Sequence, residues 1–303
     1  MKPFSRLSLA AYGFFFGLAV LITFPLVLHF SSQMIGHSTG DVYEMGHHIW
    51  WFKYALQHGD NIFWQPLSGY PDGFSAVSLW ADPLQFFPDW LFAFIMPVAS
   101  AYNLTILLTM ALNGWAMCFV MWNWLGNDAL SDDQARICTP ALFAGVIYMA
   151  FPTMQGHLFG GHAGLLVAWG APLYIYGLFK LVEDSPDSDS NRNHRRWFML
   201  AVLFFLVTVS GHTLQIFYIL MPLTGLFILA RLAQRDWRGV GQVLLVSLVG
   251  GILLLIFVLP VFRETFADNT YTGDKGYVRF SLDALAAISP SFGHPFFAQL
   301  DYP

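Results

Sequence analysis

The sequence predicts an all-α protein: a polytopic transmembrane helical bundle of about seven spans, with a long first outer loop that contains amphipathic surface helices. Three observations carry this reading. Of 303 residues, 56% are hydrophobic and 11% charged, against about 25% charged in a soluble domain. Apolar runs of roughly bilayer-crossing length recur along the whole chain. Arginines concentrate in two of the connections between them. The chain reads as a single transmembrane domain over 1–303.

The first run, Leu7 to Phe30, follows Lys2 and Arg6 and is long enough to cross a bilayer. A cleaved signal peptide would have a shorter apolar core and then a small-residue cleavage site. His29-Phe30-Ser31-Ser32-Gln33 follows instead, so a retained span is expected. Residues 31–82 form the first outer loop. It is rich in turn residues (Gly40, Gly46, Gly59, Gly69, Pro71, Gly73) and too long for a plain connector. Its tryptophans argue against disorder. Pro83 to Pro97 is apolar but short, with Pro88 inside, and is expected to lie along the surface or to re-enter. Further runs are Tyr102–Trp124, Ala141–Pro152, Gly164–Val182, Trp197–Ser210, Thr213–Ala230 and Val243–Val261.

Charge sets the expected orientation. Arg192, Arg195 and Arg196 follow the acidic, serine-rich stretch Glu183–Asn191, and Arg231, Arg235 and Arg238 close the next hairpin. Positive loops stay in the cytoplasm, which leaves the N-terminus inside. The first loop, the turn Thr153–Ala163, the turn at Gly211-His212 and the segment 263–303 then share the outer face. The loop containing Ser131, Asp132 and Asp133 is a plain turn. A bacterial inner (plasma) membrane is the expected location, and the lipid bilayer the expected surroundings.

On the first loop, Val42, Met45, Ile49, Phe52 and Leu56 recur at steps of three and four, the apolar stripe of an amphipathic helix. Asp41, Glu44 and His48 form a second stripe beside it. A carboxylate at the positive end of that helix is suited to act as a general base or to help hold a divalent ion. The competing reading is a capping box, in which Asp41 and Glu44 tie off backbone N–H groups. Trp50, Trp51 and Trp64 are either membrane-interface anchors or platforms for a sugar ring. The outer turn holds His157 and His162 among glycines that permit a close ligand approach, and His212 lies in the next outer turn. These histidines are candidate phosphate donors or else solvated loop residues. The net charge of −5 shows no nucleic-acid footprint. Cys118 and Cys138 are too few for a disulfide framework, and no Cys/His metal-ligand spacing is present.

The ordered pieces Gly40-Asp41, Trp51-Phe52, His58-Gly59, Asn61-Ile62-Phe63-Trp64, Tyr70-Pro71-Asp72-Gly73-Phe74, Asp82-Pro83-Leu84 and Ala101-Tyr102-Asn103-Leu104 resemble polytopic membrane glycosyltransferases of the GT-C class. Tyr148-Met149-Ala150-Phe151-Pro152, Gly156-His157-Leu158, Ser281-Leu282-Asp283, Ser289-Pro290-Ser291 and His294-Pro295 extend the set. The resemblance is to the N-terminal part of YfhO-like, dolichyl-phosphate-mannose-mannosyltransferase-like members. It implies transfer of a sugar from a polyprenyl-phosphate donor on the non-cytoplasmic face. Asp41, with Glu44, would be the catalytic base or metal partner, and His48, Trp51, His157, His162 and His212 the substrate contacts. A divalent metal is compatible with this and not required. Members of the class run longer, so the resemblance leaves three readings of the end at Pro303: a fragment, a truncated paralogue, or a subunit that has lost catalysis. The alternative is a non-catalytic scaffold or accessory subunit of a larger membrane complex. A lipid transporter would need charges inside its spans, and these runs carry almost none.

Overall fold

The structure, a computed structural model, describes residues 6–38, 40–68, 71–125, 134–183 and 190–267. The turn at Ser131–Asp133, the acidic stretch 184–189 and residues 268–303, which hold most of the expected outer segment and the last pieces of the resemblance, lie outside the described residues. The architecture is all-α: helices α1 (Arg6–Ile22), α2 (Val42–His58), α3 (Pro83–Ala93), α4 (Val98–Leu125), α5 (Gln134–Met149), α6 (Pro152–Gly160), α7 (Gly170–Glu183), α8 (Ser190–Val209), α9 (Met221–Ala233) and α10 (Trp237–Ala267). A two-residue hairpin, β1 (Trp64–Gln65) against β2 (Phe74–Ser75), is the only sheet among the described residues.

Among the described residues, four helical segments are long and apolar enough to cross a bilayer: Val98–Leu125, Ala163–Glu183, Ile216–Ala233 and Trp237–Glu264. This is a membrane protein. Each of the seven apolar runs in the sequence corresponds to a helix, but the first is shorter than its run. α1 stops at Ile22, where the Thr23 hydroxyl caps the Ala19 carbonyl at 2.9 Å and Pro25 supplies no N–H to continue the ladder. A short 3-10 turn, Leu26–His29, follows. α3 spans only 11 residues, about half of what a crossing needs.

α4 is the central post of one packed group. Its buried Tyr102, Ile106, Leu107, Met110 and Cys118 pack with Phe15 and Ala19 of α1, Met45 and Ile49 of α2, Phe86 of α3 and Met149 of α5. Close passage depends on small residues here. A Cβ on Gly114 or Gly145 would strike the Phe15 ring. A second group comprises α7, α8, α9 and α10, with Tyr174, Leu178, Phe205, Phe227 and Val246 inside. Ala116 and Val120 of α4 meet Leu173 and Tyr176 of α7 and join the two groups. Burial differs sharply within the second group. Of the apolar window of Ala163–Glu183, 67% is buried, against 11% for Ile216–Ala233 and 22% for Trp237–Glu264. α9 and α10 thus turn most of their apolar surface outward.

Between α6 and α7 a 3-10 turn, Ala163–Leu166, runs into irregular backbone at Val167 and Ala168, and side chains satisfy its free groups. Asn113 donates to the Leu166 carbonyl at 2.7 Å and accepts from the Ala168 N–H at 3.1 Å. Tyr148 donates to the Ala168 carbonyl at 2.7 Å, and Gln215 to the Val167 carbonyl at 2.9 Å. In an apolar setting an irregular backbone persists only with such partners. Asn103 does the same for the first loop, accepting from the Ile35 N–H and donating to the Phe30 and Gln33 carbonyls at 2.7–3.0 Å.

Candidate active site: an acidic and histidine-lined cavity

The first loop winds into α2 at Val42 because Asp41 leaves the helical region and the apolar stripe then turns inward. Val42, Met45 and Ile49 are buried as expected, and Phe52 stacks on Trp90 with centroids 4.0 Å apart and rings within 5° of parallel. Beyond Phe52 the stripe drifts, so that Ala55 is buried and Leu56 is exposed. Gly59, at φ +75°, ends the helix with its N–H on the Ala55 carbonyl.

Sequence places His157 and His162 on a glycine-rich turn, whereas the structure winds Pro152–Gly160 into a short helix. Pro152 presets φ at its first position, and Gly161, at φ +77°, closes it. Only its C-terminal end meets the first loop. The His37 N–H donates to the Phe159 carbonyl at 2.7 Å, and the Asp41 N–H to the Gly160 carbonyl at 3.0 Å. A Cβ on Gly40 would overlap the Gly160 carbonyl, and one on Gly161 would overlap Val42. A second such crossing joins Gly164 to Gly211, where either Cβ would meet the other residue's carbonyl.

These crossings border a half-open cavity of about 310 Å³ lined by Asp41, Glu44, Met45, His48, Phe74, Ser78, Leu79, Asp82, Gln85, Phe86, Gly161, His162, Gly164, Leu165 and His212. Three carboxylates and three imidazoles therefore face one space, and among the described residues no lysine or arginine lines it. Of the residues singled out in the sequence, Asp41, Glu44, His48, His162 and His212 come together. Trp51 does not: it is 3% exposed in the core, with its indole N–H on the Asn61 carbonyl. His157 stands behind His162 rather than at the cavity.

Two acid–imidazole pairs define the chemistry. Asp41 Oδ2 lies 3.3 Å from His162 Nε2, and His162 Nδ1 lies 3.3 Å from His157 Nδ1. Burial, followed by its two histidine neighbours, pushes His157 below the usual imidazole range. A neutral His157 that donates from Nδ1 leaves His162 Nε2–H to face Asp41. Glu44 Oε1 lies 3.4 Å from His48 Nε2. The His48 hydrogen bond holds Glu44 below the usual carboxylate range, against an opposing effect of burial. Burial and the charge of His48 also lower His47, whose Nε2 lies 3.0 Å from Ser68 Oγ. The capping-box geometry is absent. Asp41 makes no side-chain cap, and its N–H, the group Glu44 would reach in such a box, is already given to Gly160.

Asp82 and Gln85 are wall residues that sequence reasoning did not single out for chemistry. Asp82 Oδ1 accepts from both the Thr213 N–H at 2.7 Å and its hydroxyl at 2.6 Å. Burial nonetheless raises Asp82 above the usual carboxylate range. Gln85 donates to Met45 Sδ at 3.0 Å. The sequence signals for Asp82 were its place before Pro83 at a helix start and its part in the Asp82-Pro83-Leu84 piece of the resemblance. Among the described residues, no three His, Cys, Asp or Glu side chains are arranged to hold a metal ion; the two acid–imidazole pairs offer two ligands each. Comparison with family models, curated proteins and solved structures finds no match.

Proposed function

We propose that this chain is a membrane glycosyltransferase that moves a sugar from a polyprenyl-phosphate donor to a hydroxyl acceptor on the non-cytoplasmic face. The observation that supports the reading most is the convergence of Asp41 and Glu44, from the first loop, with His162 and His212, from two other segments, around one cavity. Its volume falls at the lower end of the small-molecule range, roughly 300–1,000 Å³. In the reaction, the acceptor hydroxyl attacks the anomeric carbon and its proton passes to the Asp41 carboxylate. The bond from the anomeric carbon to the phosphate oxygen breaks, and the polyprenyl phosphate leaves with the electron pair. His162 and His212 donate hydrogen bonds to the departing phosphate, and His157 holds His162 in place.

The orientation follows the same reading. Arg192, Arg195 and Arg196 sit at the start of α8, and Arg231, Arg235 and Arg238 around the α9–α10 connection. The chain reaches His212 only after the opposite end of α8. With seven spans and a bacterial inner membrane, the positive-inside tendency puts those arginines in the cytoplasm and the cavity outside. The test is transfer from a polyprenyl-phosphate sugar by the purified protein in lipid nanodiscs. Asp41→Asn should lower it by about 10²–10⁴-fold, the range of a lost general base, and unchanged transfer by folded Asp41→Asn protein would end the proposal. The outward apolar surfaces of α9 and α10 favour one other reading, an accessory subunit that packs against further membrane chains. That reading predicts stable co-purification and indifference to Asp41.

A further inference from the structure

Beside the cavity, Gln65 is 1% exposed on β1, held there by pairing with Phe74 of β2. Its Nε2 lies 2.8 Å from His48 Nδ1, and its Oε1 accepts from Ser68 Oγ at 3.4 Å. His48 is 4% exposed and its ring is enclosed by Phe74, nearly parallel at 6.4 Å, and by Phe86, edge-on at 5.7 Å. Its remaining nitrogen, Nε2, faces Glu44. We infer that Gln65 is a positioning residue: its amide N–H occupies His48 Nδ1 and so fixes the tautomer that presents Nε2–H to the Glu44 carboxylate.

The opposite amide orientation fails on hydrogen-bond count. With Oε1 toward His48, Nδ1 would have to carry the proton. A neutral ring would then turn the Nε2 lone pair onto a carboxylate, acceptor against acceptor. A doubly protonated ring is the one escape, and its two N–H groups distinguish it in a ¹⁵N spectrum. The titratable groups around His48 are Glu44 and His47 on its own helix and Asp41, Asp82, His162 and His212 across the cavity. The hairpin presents Gln65 and Phe74 to the ring, and α3 presents Phe86. Gln65 thus does for Glu44 what His157 does for Asp41: each supplies a donor behind an imidazole and aims that imidazole at an acid. The use of Glu44 in transfer rests on the proposed function; the tautomer does not.

The experiment is ¹⁵N NMR of histidine-labelled full chain in detergent micelles, with His48 assigned by loss of its signal in His48→Gln. Wild type should show His48 protonated at Nε2 and bare at Nδ1. Gln65→Glu places an acceptor at Nδ1, so the His48 titration midpoint should rise by at least one pH unit. Gln65→Met should leave a mixture of tautomers. A wild-type ring protonated at Nδ1, or a Gln65→Glu midpoint equal to wild type in an otherwise native spectrum, would overturn the inference. The wild-type tautomer stands as a test even if both variants misfold. A correct tautomer in a protein that transfers no sugar would count against the transferase reading and leave this one intact.

Discussion

Asp41 Oδ2 and His162 Nε2 face each other across 3.3 Å, one at the start of α2 and the other just after α6. Nothing in either local sequence specifies the partner. The pair forms because the Gly40 and Gly160 backbones pass close enough for the Asp41 N–H to reach the Gly160 carbonyl.

Both members of that pair are substantially exposed, at 53% and 41%, so its worth to the fold is small, about 0–1 kcal/mol. Asp41→Asn and His162→Ala should therefore melt close to wild type. In transfer assays their effects should not multiply, because groups that act as a unit are lost together. A double variant impaired by the product of the two single factors would show that they act independently.

Asp82 carries a pH dependence with a definite sign. Burial raises it, so the folded chain keeps this proton to higher pH than the unfolded chain. That advantage is complete below the unfolded value, about 4, and stability falls as pH climbs through the raised folded midpoint. Asp82→Asn keeps an acceptor for both Thr213 donors and has no charge to bury. Its melting temperature should exceed that of wild type by a margin that widens as pH rises above about 4. A margin constant with pH would show that Asp82 titrates normally.

The glycine crossings are steric and can be tested as such. Gly40→Ala and Gly164→Ala each place a methyl group on a backbone carbonyl, of Gly160 and Gly211 respectively. Overpacking of this kind costs about 1–3 kcal/mol, whereas Gly13→Ala and Gly156→Ala meet nothing within 4 Å and should be neutral or slightly stabilising. Thermal unfolding in nanodiscs compares the four, and equal effects would mean the crossings are loose.

Asn113 sits in the central helix and serves two backbone groups of the irregular segment. Asn113→Leu leaves both unpaired and buried, at about 1–3 kcal/mol each. It should lower the melting temperature more than Asn123→Leu, whose side chain, among the described residues, serves only the Phe119 carbonyl four residues earlier in its own helix. The reverse order would contradict the role assigned to Asn113.

The sequence by itself determined most of the helices, but not α6, which it placed on a turn. Lipid-length apolar runs, the α2 stripe through Phe52 and the short α3 all follow from periodicity, length and backbone chemistry, which act within one or two turns. It also placed Asp41, Glu44 and His48 on one side of α2, since spacings of three and four leave no alternative on a helix. Local pattern failed where a feature depends on a distant partner. The same Asp41 and Glu44 suit a capping box, and only the docking of Gly160 takes the N–H that the box would need. Trp51 looks like an interface residue until tertiary packing buries it. Gln65 had no signal at all, because a two-residue strand has no period to read. Tertiary structure alone decided which acid meets which imidazole, because those pairings depend on how closely two glycine backbones can approach, a contact between segments that no local pattern encodes.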